Sequence, residues 1–89
     1  MRLSRLFIEP ELRERVRAAE LDAAERLSRL TPMQRKVLDE AVDGHPNKII
    51  AHRLGLSPRT VENHRRAIME RAGVKSVLAL SRLIILAGE

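Results

Sequence analysis

The residues with the clearest chemical potential are polar side chains that recur at three- and four-residue steps between positions 59 and 66. On a helix, Arg59, Asn63 and Arg66 fall on one face, with Glu62 at its edge. Arginine pairs bidentately with guanine and asparagine with adenine. A glutamate can accept from a cytosine amino group or hold a nearby arginine. These four residues are therefore predicted to read base edges in the major groove of double-stranded DNA.

The opposing interpretation is that these charges cover a solvated helix face, as most single charged residues do. Their grouping argues against that interpretation. Several cations lie in or beside one predicted helix pair, among them Lys48, Arg59, Arg65, Arg66, Arg71 and Lys75. The basic face is therefore favoured as a ligand-binding surface.

No residue pattern indicates catalysis or a bound metal. The chain has no Ser–His–Asp order and no phosphate-binding glycine loop. The three histidines have no cysteine beside them and no consistent ligand spacing. We therefore expect no enzyme activity, no catalytic residue, no metal site and no cofactor. His64, at the flank of the apolar face, is interpreted as a half-buried side chain that hydrogen-bonds to backbone or phosphate.

Two helices joined by a glycine corner must position the basic face. Asn47 is predicted to cap a first helix that ends at Gly55, where a left-handed conformation costs glycine little. Ser57 is predicted to cap a second helix, Pro58 to Arg71, with proline at its first position. This layout is a helix-turn-helix. The side of the second helix that would pack on a core carries Val61, Ile68 and Ala72.

Five sequence elements follow one another in a fixed order. They are L-T-P at 30–32, V-L at 37–38, P-N-K-x-I-A at 46–51, L-x-L-S-P-R-T-V-E-x-H-R at 54–65 and V-K-S at 74–76. In this order and spacing, residues 30 to 88 resemble the C-terminal DNA-binding domain of LuxR/NarL/FixJ-type bacterial transcription regulators. The resemblance implies an all-α fold of four helices: a scaffold helix, the two helices of the reader, and a closing helix through which two copies pair.

The resemblance also implies roles for single side chains. Bases would be contacted from Glu62, Asn63 and Arg66. By the same resemblance, Lys48, Thr60, Arg65 and Lys75 would contact the DNA phosphates. Ser57, at the helix cap, and His64, at the flank of the apolar face, are also expected to contact phosphates. RNA polymerase is a further partner for a regulator of this kind. The chain departs from the family pattern at residues 33–36, where two usual acids are replaced by Gln34 and Lys36, and at Ile49.

The closing segment, residues 77–88, is apolar on nearly all sides, so it must be covered on nearly all sides. One face can close the domain, and another needs the same helix of a second copy or the chain's own N-terminal helix. A dimer surface is favoured over the alternative that the whole helix is monomer core. The residues assigned to that surface are Val77, Leu80, Ser81, Leu83 and Ile84.

The N-terminal third is predicted to form one long helix that starts near Pro10. Its apolar residues recur at three- and four-residue steps, but they leave strict heptad register at Leu27. A linker helix that packs on the domain, or a short dimer helix, is therefore preferred over a long coiled coil. We divide the chain into residues 1–30, the N-terminal amphipathic helix, and residues 31–89, the DNA-binding domain. Neither a receiver nor a ligand-binding domain fits in 30 residues, so a stand-alone reader and a piece of a longer regulator both remain open.

Composition agrees with this interpretation. The net charge is +5 and the pI about 11.0, with the excess concentrated in residues 31–89, which suits a polyanionic partner. A single aromatic residue argues against single-stranded nucleic acid, whose bases stack on rings. The absence of cysteine fits the reducing bacterial cytoplasm. A DNA-binding regulator is expected there in association with the nucleoid. No segment is long and apolar enough to cross a membrane. The rival function is a helical protein-interaction module that binds another regulator rather than DNA.

Overall fold

A computed structural model describes residues 9–89, and within that range the chain is all-α. The five helices are α1 (Pro10–Ser28), α2 (Pro32–Val42), α3 (Asn47–Leu54), α4 (Pro58–Ala72) and α5 (Val77–Leu86). The predicted fold class, four helices preceded by one long N-terminal helix, is confirmed. The first eight residues of the predicted N-terminal unit lie outside the described range. No helix in residues 9–89 combines the length and the hydropathy that a membrane span requires.

Local sequence explains most helix starts. Pro10, Pro32 and Pro58 each occupy the first helical turn, where a missing N–H is harmless. Thr31 and Gln34 form a reciprocal capping box at α2: the Thr31 hydroxyl accepts from the Gln34 N–H, and the Gln34 side chain accepts from the Thr31 N–H. These caps fix where the helices begin without help from tertiary contacts.

The start of α3 corrects one sequence prediction. Asn47 is the first residue inside the helix and makes no capping hydrogen bond, because Pro46 occupies the cap position. The Pro46 carbonyl already accepts from the N–H groups of Ile49 and Ile50, both at 3.0 Å. The other end of α3 matches the prediction, since Gly55 has φ +69° in the left-handed region.

The core is one cluster of aliphatic side chains, and it continues across the boundary that the sequence places at residue 30. Ala23 and Leu27 of α1 are buried together with residues of all four other helices. The fully buried large side chains are Val37, Leu38, Ile50, Val61 and Ile68. The C-terminal half of α1 is therefore packed as part of the same body as the helix-turn-helix.

The N-terminal half of α1 projects from that body. The described residues extend 48 Å along one axis and only 21 and 19 Å along the others. Leu12 and Leu21 of α1 are exposed, whereas Ala23 and Leu27 are buried. Among its neighbours α1 contacts α5 most extensively. The chain's own N-terminal helix α1 therefore covers part of α5, as one of the two alternatives from the sequence requires.

Candidate DNA-binding surface

The core fixes α4 by one face. Val61, Ile68 and Ala72 are at most 1% exposed, as the helical wheel predicts, and α4 packs chiefly against α2 and α3. Leu56, which follows the glycine corner, packs against the core, and its N–H donates to the Ala51 carbonyl at 2.9 Å. The corner and the buried face together set the direction of α4.

The opposite face of α4 is turned to solvent. All four predicted base readers, Arg59, Glu62, Asn63 and Arg66, are exposed. In residues 9–89, no hydrogen bond or ion pair within the chain occupies the side chains of Arg59, Asn63 or Arg66. Long donors on a rigid helix that lack an intramolecular partner are suited to an external ligand rich in acceptors.

The N-terminal turn of α4 holds two predicted phosphate contacts. The Ser57 hydroxyl accepts from the Thr60 N–H at 3.1 Å, and the two side-chain hydroxyls lie 2.9 Å apart. Ser57 is thus the N-cap that the sequence predicts. The exposed Ser57 side chain also lies at the positive end of the α4 dipole, a favourable position for a phosphate.

The remaining predicted phosphate contacts are distributed around α4. Lys48 on α3 and Lys75 in the α4–α5 connection are exposed. His64 and Arg65 are half-buried, and Arg65 lines a small apolar space beside Leu38. The arrangement brings cations from α3, α4 and the following loop around one helix.

The predicted dimer surface divides in two. Leu80 and Leu83 are buried in the core of their own chain, at 3% and 9% exposure, so in this single copy they present little surface to a second one. Val77, Ser81 and Ile84 are half-buried. The face of α5 that remains open carries Leu78 and Ile85 at 63% and 74% exposure. Because α5 is apolar all round, its sequence does not select a face; packing against α1, α2 and α4 does.

One cluster was not considered in the sequence analysis. The carboxylate of Glu40 accepts from Arg53 Nε at 2.7 Å, and its other oxygen is 3.4 Å from His45 Nε2. That second oxygen is buried and has no hydrogen-bond partner. Glu40, Asp43 and His45 each present one ligand-type atom within 4.8 Å of the others. Glu40 and Asp43 also line a cleft between α2 and α3 together with Lys36 and Arg53, and the pair between Glu40 and Arg53 joins the two helices there.

A second feature that the sequence analysis missed is Arg26 of α1. Its guanidinium reaches the C-terminal end of α4 and donates to the Ala72 carbonyl at 2.8 Å. The residues are 46 positions apart, so no local pattern predicts the contact. The ion pair between Asp22 and Arg26, with 2.9 Å between Oδ2 and Nε, is local, because residues four apart on a helix are neighbours.

Comparison with known proteins agrees with this geometry. Residues 28–84 match the sequence model of a family described as bacterial regulatory proteins, luxR family. The transcriptional regulatory protein FixJ of Rhizobium meliloti (strain 1021) is 43% identical over 67 residues, which are 75% of this chain and 33% of that protein. The transcriptional regulatory protein UhpA of Escherichia coli (strain K12) is 42% identical over 60 residues, covering 67% and 31%. The chain spans about a third of the length of these relatives.

Among solved structures, the crystal structure of full-length FixJ from B. japonicum is similar at a TM-score of 0.77 and 35% identity. The similarity covers 90% of this chain and 38% of that one. That coverage is larger than residues 31–89 alone, so α1 takes part in the structural match.

Proposed function

Because the chain belongs to the LuxR family of bacterial regulatory proteins, we propose that it is a transcription regulator that binds double-stranded DNA through α4. In this proposal α4 enters the major groove. Its exposed face reads base edges, and cations from the neighbouring elements contact phosphates. The base readers are Arg59, Glu62, Asn63 and Arg66, and the phosphate contacts are Lys48, Ser57, Thr60, His64, Arg65 and Lys75.

The observation that carries the proposal is the contrast between the two faces of α4. One face is completely buried, so the helix is fixed. The other presents Arg59, Asn63 and Arg66 to solvent without any partner within residues 9–89. A helix fixed in this way can present its donors without first breaking internal ion pairs. Such preorganisation favours specific binding.

We further propose that two copies bind inverted half-sites about one helical turn apart. The exposed Leu78 and Ile85 of α5 supply an apolar face that a second copy can cover, with half-buried Val77, Ser81 and Ile84 beside it. Buried Leu80 and Leu83 would then support the surface from within rather than form contacts with the partner.

Binding selection on random duplexes, run at two salt concentrations, tests the proposal. We expect enrichment of a short inverted sequence and an affinity that falls steeply with salt, with a slope of about −0.9 for each phosphate neutralised. Lys75→Ala should reduce that slope by about 1 while the preferred sequence stays the same. A protein that enriches no sequence, or binds with no salt dependence, is not a DNA reader.

Asn63→Ala provides the test of base reading. It should weaken binding to the selected site by about 1–3 kcal/mol and weaken binding to random duplex much less. Equal losses on both duplexes would contradict a base contact at Asn63. The rival interaction module would instead bind another regulator tightly and show no salt-dependent DNA binding.

Deleting residues 1–29 tests the role of α1. The deletion removes Ala23 and Leu27 and so uncovers core side chains of α5. We expect a change in dimerisation or DNA affinity, because the face of α5 available to a second copy would change. Unaltered association and affinity would show that α1 has no part in either.

A further inference from the structure

The last turns of α1 and α4 are joined by side-chain hydrogen bonds that the proposed DNA contacts do not use. Arg26 Nη1 donates to the carbonyl oxygens of Ala72 and Gly73, at 2.8 and 3.3 Å. Arg29 Nη1 donates to the Arg71 carbonyl at 3.4 Å, and Arg71 Nη1 donates to the Arg29 carbonyl at 3.1 Å. The two helix ends therefore hold each other through reciprocal contacts.

The Arg26 guanidinium supplies donors to backbone carbonyls at the C-terminal end of α4. The final carbonyls of a helix have no intrahelical donors, and a cation beside them is favoured by the helix dipole. Asp22 holds Nε from the other side at 2.9 Å, so the guanidinium is oriented at both ends. Leu27, one residue further along α1, is buried in the core and anchors the same turn.

Arg26 approaches the backbone of Gly73 closely. A Cβ at position 73 would lie 2.7 Å from Arg26 Nη1, which is closer than real Cβ atoms come to their neighbours. The left-handed φ of +71° already favours glycine there. The guanidinium of Arg26 therefore lies directly against the backbone at the C-terminus of α4, although it is the end of a flexible side chain that can shift.

From these contacts we propose that Arg26 is a positioning residue for the DNA-reading helix: it makes the seating of α4 depend on the docking of α1. The inference rests on the proposed function and extends it from α4 to the helix that precedes the domain. In this proposal, a partner or preceding segment that shifts α1 changes how the C-terminal end of α4 is held, and it also changes the cover of α5. The link joins the exposed N-terminal half of α1 to the reader through hydrogen bonds that require no contact with DNA.

The test compares Arg26→Ala with two controls that remove the same charge. Arg17→Ala removes an exposed arginine of the same helix. Arg35→Ala removes an arginine that is bonded to Asp39 and Glu89 and does not touch α4. Affinity for the selected duplex is measured well below the unfolding temperature of every variant. Amide exchange is followed at Gly73 and Val74, whose N–H groups donate to Glu70 and Met69 at the end of α4.

We expect Arg26→Ala to lower affinity for the selected site about three- to tenfold, the range for residues that modulate coupling without touching the ligand. Exchange at Gly73 and Val74 should accelerate about tenfold. Both controls should leave exchange at these two amides unchanged and affinity within about twofold. Arg26→Lys, which keeps the charge but cannot donate to both carbonyls and Asp22 at once, should fall between Arg26→Ala and the native chain.

An Arg26→Ala affinity equal to that of the controls, or a loss shared by all three variants, would overturn the inference. Unchanged exchange at the end of α4 would overturn it as well. The exchange measurement needs no DNA, so it judges the link between α1 and α4 even if the native chain does not bind DNA. A native chain that fails to bind duplex would contradict the proposed function separately.

Discussion

Two sets of arginines among residues 9–89 differ in what their side chains contact. Arg26, Arg29 and Arg35 are engaged by carboxylates or carbonyls of the chain itself. Arg59 and Arg66 on the outer face of α4 are exposed and have no partner within residues 9–89. The same side chain thus serves the fold in one region and stays available to a ligand in the other. Charge alone does not distinguish the two groups; intramolecular pairing does.

In the engaged group, the partners of Arg35 stabilise its charged form. The hydrogen bond from Arg35 to Glu89 raises the pKa of Arg35 above its ordinary value, with a further contribution from Asp39 and an opposing effect of burial. The contact joins α2 to the C-terminal residue, 54 positions away. Arg35 therefore acts as a tie between the two ends of the helix-turn-helix body.

The largest loss of stability should come from removing a core side chain of α4. Ile68→Ala deletes a fully buried side chain of α4 and should lower the free energy of unfolding by about 2–5 kcal/mol. That is a large part of the stability of so small a domain. Chemical denaturation measures the loss, and DNA affinity should fall only in proportion to the unfolded fraction. A loss under about 1 kcal/mol would show that the inner face of α4 is loosely packed.

The next effect should separate binding from stability. Arg66→Ala should lower affinity for the selected duplex by about 1–3 kcal/mol, because an exposed guanidinium without an internal partner is lost. Its free energy of unfolding should change by no more than about 0.5 kcal/mol, as for other surface substitutions. Titration of DNA and denaturation of the same sample check both numbers. A variant that loses stability while keeping its affinity would place Arg66 in the engaged group.

Ser57→Ala should have an intermediate effect on the fold. The substitution removes the hydroxyl that accepts from the Thr60 N–H, and loss of such a cap costs about 1 kcal/mol. Thermal unfolding measures it, with Ser57→Asp as the control that restores an acceptor to the cap. If both substitutions destabilise the chain equally, the serine is not acting through its cap.

The smallest effect should come from an engaged arginine at the surface. Arg35→Ala breaks contacts with Asp39 and Glu89 and should lower the free energy of unfolding by less than about 1 kcal/mol, since partly exposed ion pairs contribute little. Affinity for the selected duplex should remain unchanged. A loss of binding specificity in this variant would remove the distinction between the two groups.

Features governed by neighbouring residues were predictable. The cap at Ser57 and the left-handed Gly55 follow from local backbone chemistry, and both form as predicted. The Thr31 cap of α2 and the left-handed Gly73 after α4 have the same local origin. The cap of α3 was placed one residue late because Pro46 already supplies the first helical carbonyl, which the side-chain preference of Asn47 conceals. The exposed face of α4 followed from the helical period, because its apolar and polar residues segregate cleanly.

Features governed by distant residues were not predictable. The burial of Leu80 and Leu83 depends on how α5 packs against α1, α2 and α4, helices that lie earlier in the chain. The bond from Arg26 to Ala72 has the same origin. Glu40 meets Arg53 only once α2 and α3 have packed. In each case several partners are compatible with the local pattern, and packing selects among them.

The sequence by itself determined the family, the helix boundaries to within a residue or two, and the basic face of the reading helix. These depend on side-chain chemistry over one or two helical turns. Only the tertiary structure decided which face of α5 is covered, which arginines are occupied, and that α1 is fastened to the end of α4. Those outcomes depend on how helices far apart in the chain dock, and the free energy of docking is shared among side chains whose spacing in sequence carries no common period.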